Sequence, residues 1–267
     1  MMRGTFLRWL ADRLILCPTR QPIEADGKVA RLIPYRGGAL EVWTQRVAAE
    51  PAGPADLYVL KFPGTAGRAE RSTSHPADAW PALRVELWTL NPPGYGGSMG
   101  TASLRNVADV AETVLAALRQ HAAGRPILVT GNSLGCVSAL YLAARHTLGG
   151  LLLRNPPPLR EVILERFARR WWSFGVRLLA RQIAPELDAI RNAAAATVPA
   201  VFVTSAQDRI VPPACQQQII EAYAGPKRVL RLADADHHTP MSELETAAYH
   251  EDLNWLLQQI RHDSCGR

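Results

Sequence analysis

The sequence predicts an α/β fold, a mostly parallel central sheet with helices on both faces. Three observations predict it. An opening stretch, Val29 to Val47, reads as two strands joined at Arg36-Gly37-Gly38, a hairpin. After it, short apolar runs of strand length alternate with amphipathic stretches of helix length, which is the pattern of parallel strands joined by crossover helices. In the middle of the chain, the buried strand Pro126-Ile127-Leu128-Val129-Thr130 runs through a tight turn into the helix from Cys136 to Ala144.

The elements follow in order. Phe6, Leu7, Leu10 and Leu14 recur at helical spacing, so Met1 to Leu16 is expected as a short amphipathic helix docked on the rest. A signal peptide is disfavoured, because Arg8, Asp12 and Arg13 interrupt any apolar region and Cys17-Pro18 follows without an A-x-A site. Membrane contact through this helix is the less favoured reading. After the hairpin come a strand at 56–62 and a polar, helical stretch to Trp80. The strand 84–90 stops at Asn91-Pro92-Pro93-Gly94. Leu104, Val107, Ala108, Ala111, Val114, Leu115 and Leu118 fit one helix face. Gly150 to Leu153 is a strand halted by Asn155-Pro156-Pro157-Pro158. Residues 159–198 break the alternation and read as a small helical cap above the sheet. The strand 200–204, a helix at 213–223, the strand 228–232 and a last helix opened by the capping box Ser242-Glu243-Leu244-Glu245 complete the chain. Residues 1–267 therefore form one domain, with 1–28 as helix and lead-in and 159–198 as the insertion.

Composition narrows the function. The chain is 48% apolar, and no run of 18 apolar residues would span a bilayer. The net charge of +6 comes almost wholly from arginines spread along the chain. With no zinc spacing or RNP-like pattern, nucleic acid is excluded as a partner. Cys17, Cys136, Cys215 and Cys265 form no C-x-x-C pair, which fits free thiols in a reducing, cytoplasmic compartment.

The chemistry is concentrated at Gly131-Asn132-Ser133-Leu134-Gly135, a G-x-S-x-G turn between strand and helix. Taken alone, Ser133 also suits an ordinary helix N-cap. A serine hydroxyl is a weak nucleophile that needs a base, and the base needs a partner to fix its tautomer. In an open parallel sheet such partners stand just after strands, at their carboxyl ends. Asp208 follows the strand 200–204, and His237 and His238 follow the strand 228–232. Asp234 and Asp236 are rival acids, although their closeness in sequence to the histidine makes the approach awkward. His75, His121, His146, His250 and His262 are expected on surface or in packing, without partners.

With these residues in place, the chain from about 29 to 260 resembles the α/β-hydrolase family. The resemblance rests on the nucleophile elbow at 131–135, on Asp208-Arg209-Ile210-Val211-Pro212 against the family's D-x-x-V-P loop, and on Asp234-Ala235-Asp236-His237 against its G-x-x-H loop, with Asp234 where glycine is usual. Asn91-Pro92-Pro93-Gly94-Tyr95-Gly96-Gly97-Ser98 is similar to the R-G-Y-G-x-S loop of compact esterase-like and peptidase-like members. The resemblance implies Ser133 as nucleophile, His237, favoured over His238 by the spacing, as base, and Asp208 as its acid. It also implies an oxyanion hole made by the backbone N–H groups of Leu134 and Thr65. Thr65 lies in Phe62-Pro63-Gly64-Thr65, where the family has H-G-x and this chain has Pro63 for the histidine.

The expected function is a serine hydrolase that cleaves a small-molecule carboxylic ester or thioester through an acyl-enzyme, with no cofactor or metal. Acyltransferases, peptidases and cofactor-free peroxidases keep the same three residues on this fold, and a non-catalytic scaffold is a further alternative. Epoxide hydrolases and dehalogenases are disfavoured, since their nucleophile is Asp. Trp171, Trp172 and Phe174 suit either the inner face of the cap or an acyl-binding wall. Arg166, Arg169, Arg170, Arg177 and Arg181 suit a solvated face or contact with an anionic group.

Overall fold

β1 (Val29–Tyr35) and β2 (Gly38–Val47) form the expected antiparallel hairpin. Arg36 and Gly37 turn it, both at positive φ, the two-residue geometry whose twist matches the flanking strands. β3 (Leu57–Phe62), β4 (Val85–Asn91), β5 (Ile127–Asn132), β6 (Gly150–Arg154), β7 (Ala200–Ser205) and β8 (Lys227–Leu232) complete one sheet in the order β1-β2-β4-β3-β5-β6-β7-β8. β2 pairs antiparallel with β4, and all pairs beyond it are parallel. The helices are α1 (Met2–Leu16), α2 (Val107–Ala122), α3 (Gly135–Ala143), α4 (Leu159–Ala168), α5 (Ala189–Ala195), α6 (Pro213–Ala222) and α7 (Glu243–Cys265). This computed structural model describes residues 2–47, 53–168, 177–178, 180–181 and 183–265.

Successive strand residues face opposite sides, so the sheet carries two cores. Tyr58 and Leu60 of β3 pack on the side of α2, α3, α5 and α6. Leu57 and Val59 pack on the other, with Trp80 and with Leu253 and Leu256 of α7. Each fully buried Leu or Phe removes enough apolar surface from water to stabilise the fold by roughly 1.5–3 kcal/mol. A third, smaller cluster joins Ala11 and Leu16 of α1, Tyr95, Leu104, Val137 of α3 and Leu159 of α4.

Four expectations are revised. The stretch between β3 and β4 is not a helix but two short 3-10 turns, Ala69–Arg71 and Ala77–Ala79. Its carbonyls at Thr73 and His75 accept from the Lys61 ammonium at 2.7 and 2.5 Å, and Pro76 has no N–H to give a helix. Within 159–198, α5 does not stand above the sheet. It packs against α3 and α6, with Ala189, Ala193 and Ala196 in the main core, and serves as part of the crossover from β6 to β7. α4 is present with Leu159 and Ile163 buried, and Arg177 and Arg181 are exposed; Trp171, Trp172, Phe174, Arg169, Arg170 and the Arg166 side chain lie outside the described residues.

α1 docks as expected, but through Ala11, Ile15 and Leu16, leaving Trp9 and Leu14 exposed. Three of the histidines expected without partners have carboxylate partners: Asp78 for His75 at 3.5 Å, Glu86 for His121 at 2.9 Å and Glu112 for His146 at 2.7 Å. The last two pairs join elements distant in sequence, which no local pattern connects, whereas His75 and Asp78 are three residues apart. No helix among the described residues is long and apolar enough to cross a membrane.

Candidate active site

β5 ends and α3 begins in a turn so tight that Ser133 takes φ +49°. A non-glycine residue held there costs about 1–3 kcal/mol, and it persists because the surroundings enforce it. The Ser133 N–H donates to the Arg154 carbonyl at the end of β6 (2.8 Å), and the Cys136 N–H donates to the Ser133 carbonyl (2.9 Å). Both glycines of the motif are needed for space. A Cβ on Gly131 would lie 2.6 Å from the backbone of Cys136, across the turn. A Cβ on Gly135 would lie 2.0 Å from the Phe62 carbonyl oxygen, so its constraint comes from the neighbouring strand β3 rather than from the turn itself. Cys136 is packed in the core, its thiol donating to the Gly131 carbonyl, and burial pushes its pKa up.

Asp208, in the loop after β7, reaches His237, in the loop after β8, with Oδ2 2.6 Å from Nδ1. Both side chains are buried. A carboxylate only accepts, so Nδ1 carries the proton and Nε2 is left with its lone pair. Asp208 Oδ1 accepts from the Ile210 and Val211 N–H groups, each at 2.8 Å, and Gln216 of α6 donates to Oδ2 at 3.1 Å. These donors fix the orientation of the carboxylate. The rival acid Asp236 is occupied within its own loop: its Oδ1 accepts from the N–H groups of His238 and Thr239, which hold its carboxyl below the usual range. His238 is exposed and meets the His237 ring edge-on at 5.0 Å. Ser133 Oγ has no hydrogen bond to His237 among the described residues.

Asn155, at the end of β6, joins the loops. Its Oδ1 accepts from Ser205 N–H (3.0 Å), and its Nδ2 donates to the His237 carbonyl (3.4 Å). It sits at φ +50°, which asparagine tolerates better than most residues. In the sequence it reads only as a strand stop. Gln216 likewise gave no signal beyond helix periodicity.

The loop after β3 lies against the elbow. A Cβ on Gly64 would be 3.0 Å from the Asn132 carbonyl and 3.3 Å from Ser133 Cβ. Neither Thr65 N–H nor Leu134 N–H donates to an acceptor among the described residues. The loop is clamped from outside by the end of α1: Thr65 Oγ1 donates to the Ile15 carbonyl (3.0 Å) and Ala66 N–H to the Leu16 carbonyl (3.2 Å), while Tyr95 Oη also donates to Leu16. From inside it is held by a buried polar network. Asn91 accepts from Ala69 N–H and donates to Glu41 and Glu70, Arg68 pairs with Glu70, and Ser98 donates to the Asn91 carbonyl.

A cavity of about 660 Å³ opens beside the elbow, on the α7 face of the sheet. Another, of about 940 Å³, lies at the amino ends of the strands, at the opposite pole from Ser133. Among the described residues no group of three or more His, Cys, Asp and Glu is placed to hold a metal ion. A buried histidine whose Nε2 accepts, at the same strand ends as a serine, can take a hydroxyl proton and return it to a leaving group.

Comparison with known proteins agrees with this fold. The model of the alpha/beta hydrolase family matches residues 62–249, a span that takes in the elbow and the loops of Asp208 and His237. An uncharacterized protein of Mycobacterium tuberculosis (strain CDC 1551 / Oshkosh) is 26% identical over 246 residues, 88% of this chain and 83% of its own. Among solved structures, an esterase of Pyrococcus furiosus superposes with a TM-score of 0.66 at 14% identity, over 91% of this chain and 97% of that one. An acetyl xylan esterase from Paenibacillus sp. R4 gives 0.61 at 16% identity, over 98% and 93%. At those identities the likeness is one of fold. The chain belongs to the alpha/beta hydrolase family.

Proposed function

We propose that the protein is a serine hydrolase of carboxylic esters or thioesters. The observation that carries this reading is the buried His237–Asp208 pair, 2.6 Å apart, at the strand ends where Ser133 is held at φ +49°. Ser133 Oγ attacks the substrate carbonyl as its proton passes to His237 Nε2. Asp208 keeps the proton on Nδ1 and stabilises the imidazolium. The N–H groups of Leu134 and Thr65 receive the carbonyl oxygen as it becomes an oxyanion. The C–O or C–S bond breaks as His237 gives its proton to the leaving group, and an acyl-Ser133 remains. Water, activated by the same histidine, releases the acid and restores the serine.

Labelling with a fluorophosphonate probe tests this. Wild type is expected to be labelled and Ser133→Ala, shown to be folded by circular dichroism, is not. Absence of Ser133-dependent labelling refutes the reading.

A further inference from the structure

The cavity beside the elbow is built from charge. Pro63 and Gly64 of the oxyanion loop and Gly131 and Asn132 before Ser133 form its wall on the site's side. Around the rest stand Lys61, Arg68, Arg71 and Arg154, against one lining carboxylate, Asp78. Arg68 is matched by buried Glu70; Asp78 lies 3.5 Å from His75 and its charge also acts on the Lys61 ammonium. Lys61, Arg71 and Arg154 make no ion pair among the described residues, and Asp78 is one carboxylate against their three charges. Lys61 is fixed by the carbonyls of Thr73 and His75, which leaves its third N–H. Arg154 gives one N–H to the Thr239 carbonyl and keeps the rest of its fork. Arg71 makes no side-chain hydrogen bond or ion pair among the described residues.

His75, bonded to Tyr249 Oη at 2.6 Å, is held neutral by burial, its pKa pushed down to about 4. It therefore supplies hydrogen bonding and not charge at neutral pH. Burial also lowers Lys61, to about 8. A half-buried ammonium with no direct ion pair among the described residues is costly unless further countercharge reaches it, and one carboxylate does not balance three cations. A space of this size takes a small organic group.

We propose that this cavity binds the anionic end, a carboxylate or phosphate, of an ester whose carbonyl lies at Ser133. The inference rests on the serine-hydrolase reading for its place beside the reaction, but its binding chemistry stands apart from it. Lys61, Arg71 and Arg154 receive the anion, and the reacting carbonyl lies across Gly64 and Asn132 at the elbow.

Two pairs of substrates test it. In each, an anionic ester is compared with its methyl-capped neutral twin: para-nitrophenyl hydrogen adipate places the charge on the acyl side, and para-acetoxybenzoate on the alcohol side. In at least one pair the anion is expected to be preferred by about tenfold or more in kcat/KM, and Arg71→Ala and Lys61→Met each to cut that preference about fivefold. Arg71 is exposed and makes no side-chain hydrogen bond or ion pair among the described residues, so its variant remains informative if Lys61→Met misfolds. Equal or better hydrolysis of both neutral twins by a fluorophosphonate-reactive enzyme overturns the inference. If Ser133 is not labelled, calorimetric titration of the wild type with adipate and with inorganic phosphate decides it. Binding that Arg71→Ala abolishes upholds the anion site although the hydrolase reading has failed, and no binding of either anion overturns it. Binding of only one of the two identifies which anion the cavity takes.

Discussion

Gly135 and Phe62 meet backbone to backbone: the Cβ that any other residue would carry at 135 falls 2.0 Å from the Phe62 carbonyl oxygen. The first turn of α3 and the end of β3 thereby set the distance between the two halves of the proposed oxyanion hole. Gly135→Ala must push them apart. Overpacking of this kind costs at least about 1–3 kcal/mol. We expect a lowered melting temperature together with loss of fluorophosphonate labelling, and near wild-type labelling would contradict the close approach.

His237 and His238 are neighbours with different surroundings, since only His237 is held by Asp208. Loss of a catalytic base costs up to about a million-fold in kcat, and loss of the orienting acid about ten-thousand-fold. His237→Ala and Asp208→Asn are expected to fall toward those limits on a para-nitrophenyl ester. His238→Ala is expected to stay within about tenfold of wild type, because it only borders the His237 ring. Equal losses at both histidines would refute the assignment.

α1 clamps the loop proposed to donate to the oxyanion. Thr65→Val removes the hydrogen bond to the Ile15 carbonyl while keeping the backbone N–H. A loosened oxyanion donor lowers kcat by about tenfold or more and leaves KM little changed. A change confined to KM would mean that the loop binds substrate without stabilising the oxyanion.

Asn91 is fully buried and ties the 68–70 segment to Glu41. Asn91→Ala leaves the buried Ala69 N–H without its acceptor and takes one donor each from Glu41, which keeps the Gly97 N–H, and Glu70, which keeps Arg68. The expected cost is about 3 kcal/mol, read as a shift in the urea midpoint. A loss under about 0.5 kcal/mol would show that other donors or water replace the amide.

The Lys61 ammonium gives the proposed anion site a pH dependence. Desolvation lowers its pKa to about 8; Asp78 opposes that shift and Lys28 adds to it, with Arg71, Arg154, His75, Tyr249 and His250 lining the same cavity. Lys61 is charged below about 8 and loses its proton above it. The preference for an anionic ester over its neutral twin is therefore expected to be largest near pH 7 and to decline as pH rises through about 8. Taking the ratio cancels any titration of the catalytic groups that acts on both esters alike. In Lys61→Met the ratio should be flat across that range.

The order of strands, the helices outside 63–80 and 159–198, the elbow at 131–135 and the positions of Asp208 and His237 after their strands are legible in the chain. So is the Ser242–Glu245 capping box, which forms as its spacing predicts. Periodicity, breaker residues and caps act over a few residues, and strand ends in a parallel sheet all point to one edge, so local patterns suffice for these features. What only the tertiary structure decided lies between segments far apart in sequence: that Asp208 rather than Asp236 holds the histidine, that α1 clamps Thr65, that α5 packs on α3 instead of capping the sheet, and that Lys61, Arg71 and Arg154 share a cavity. Each depends on which surfaces bury together and which carbonyls are left to accept, and no spacing along the chain encodes that.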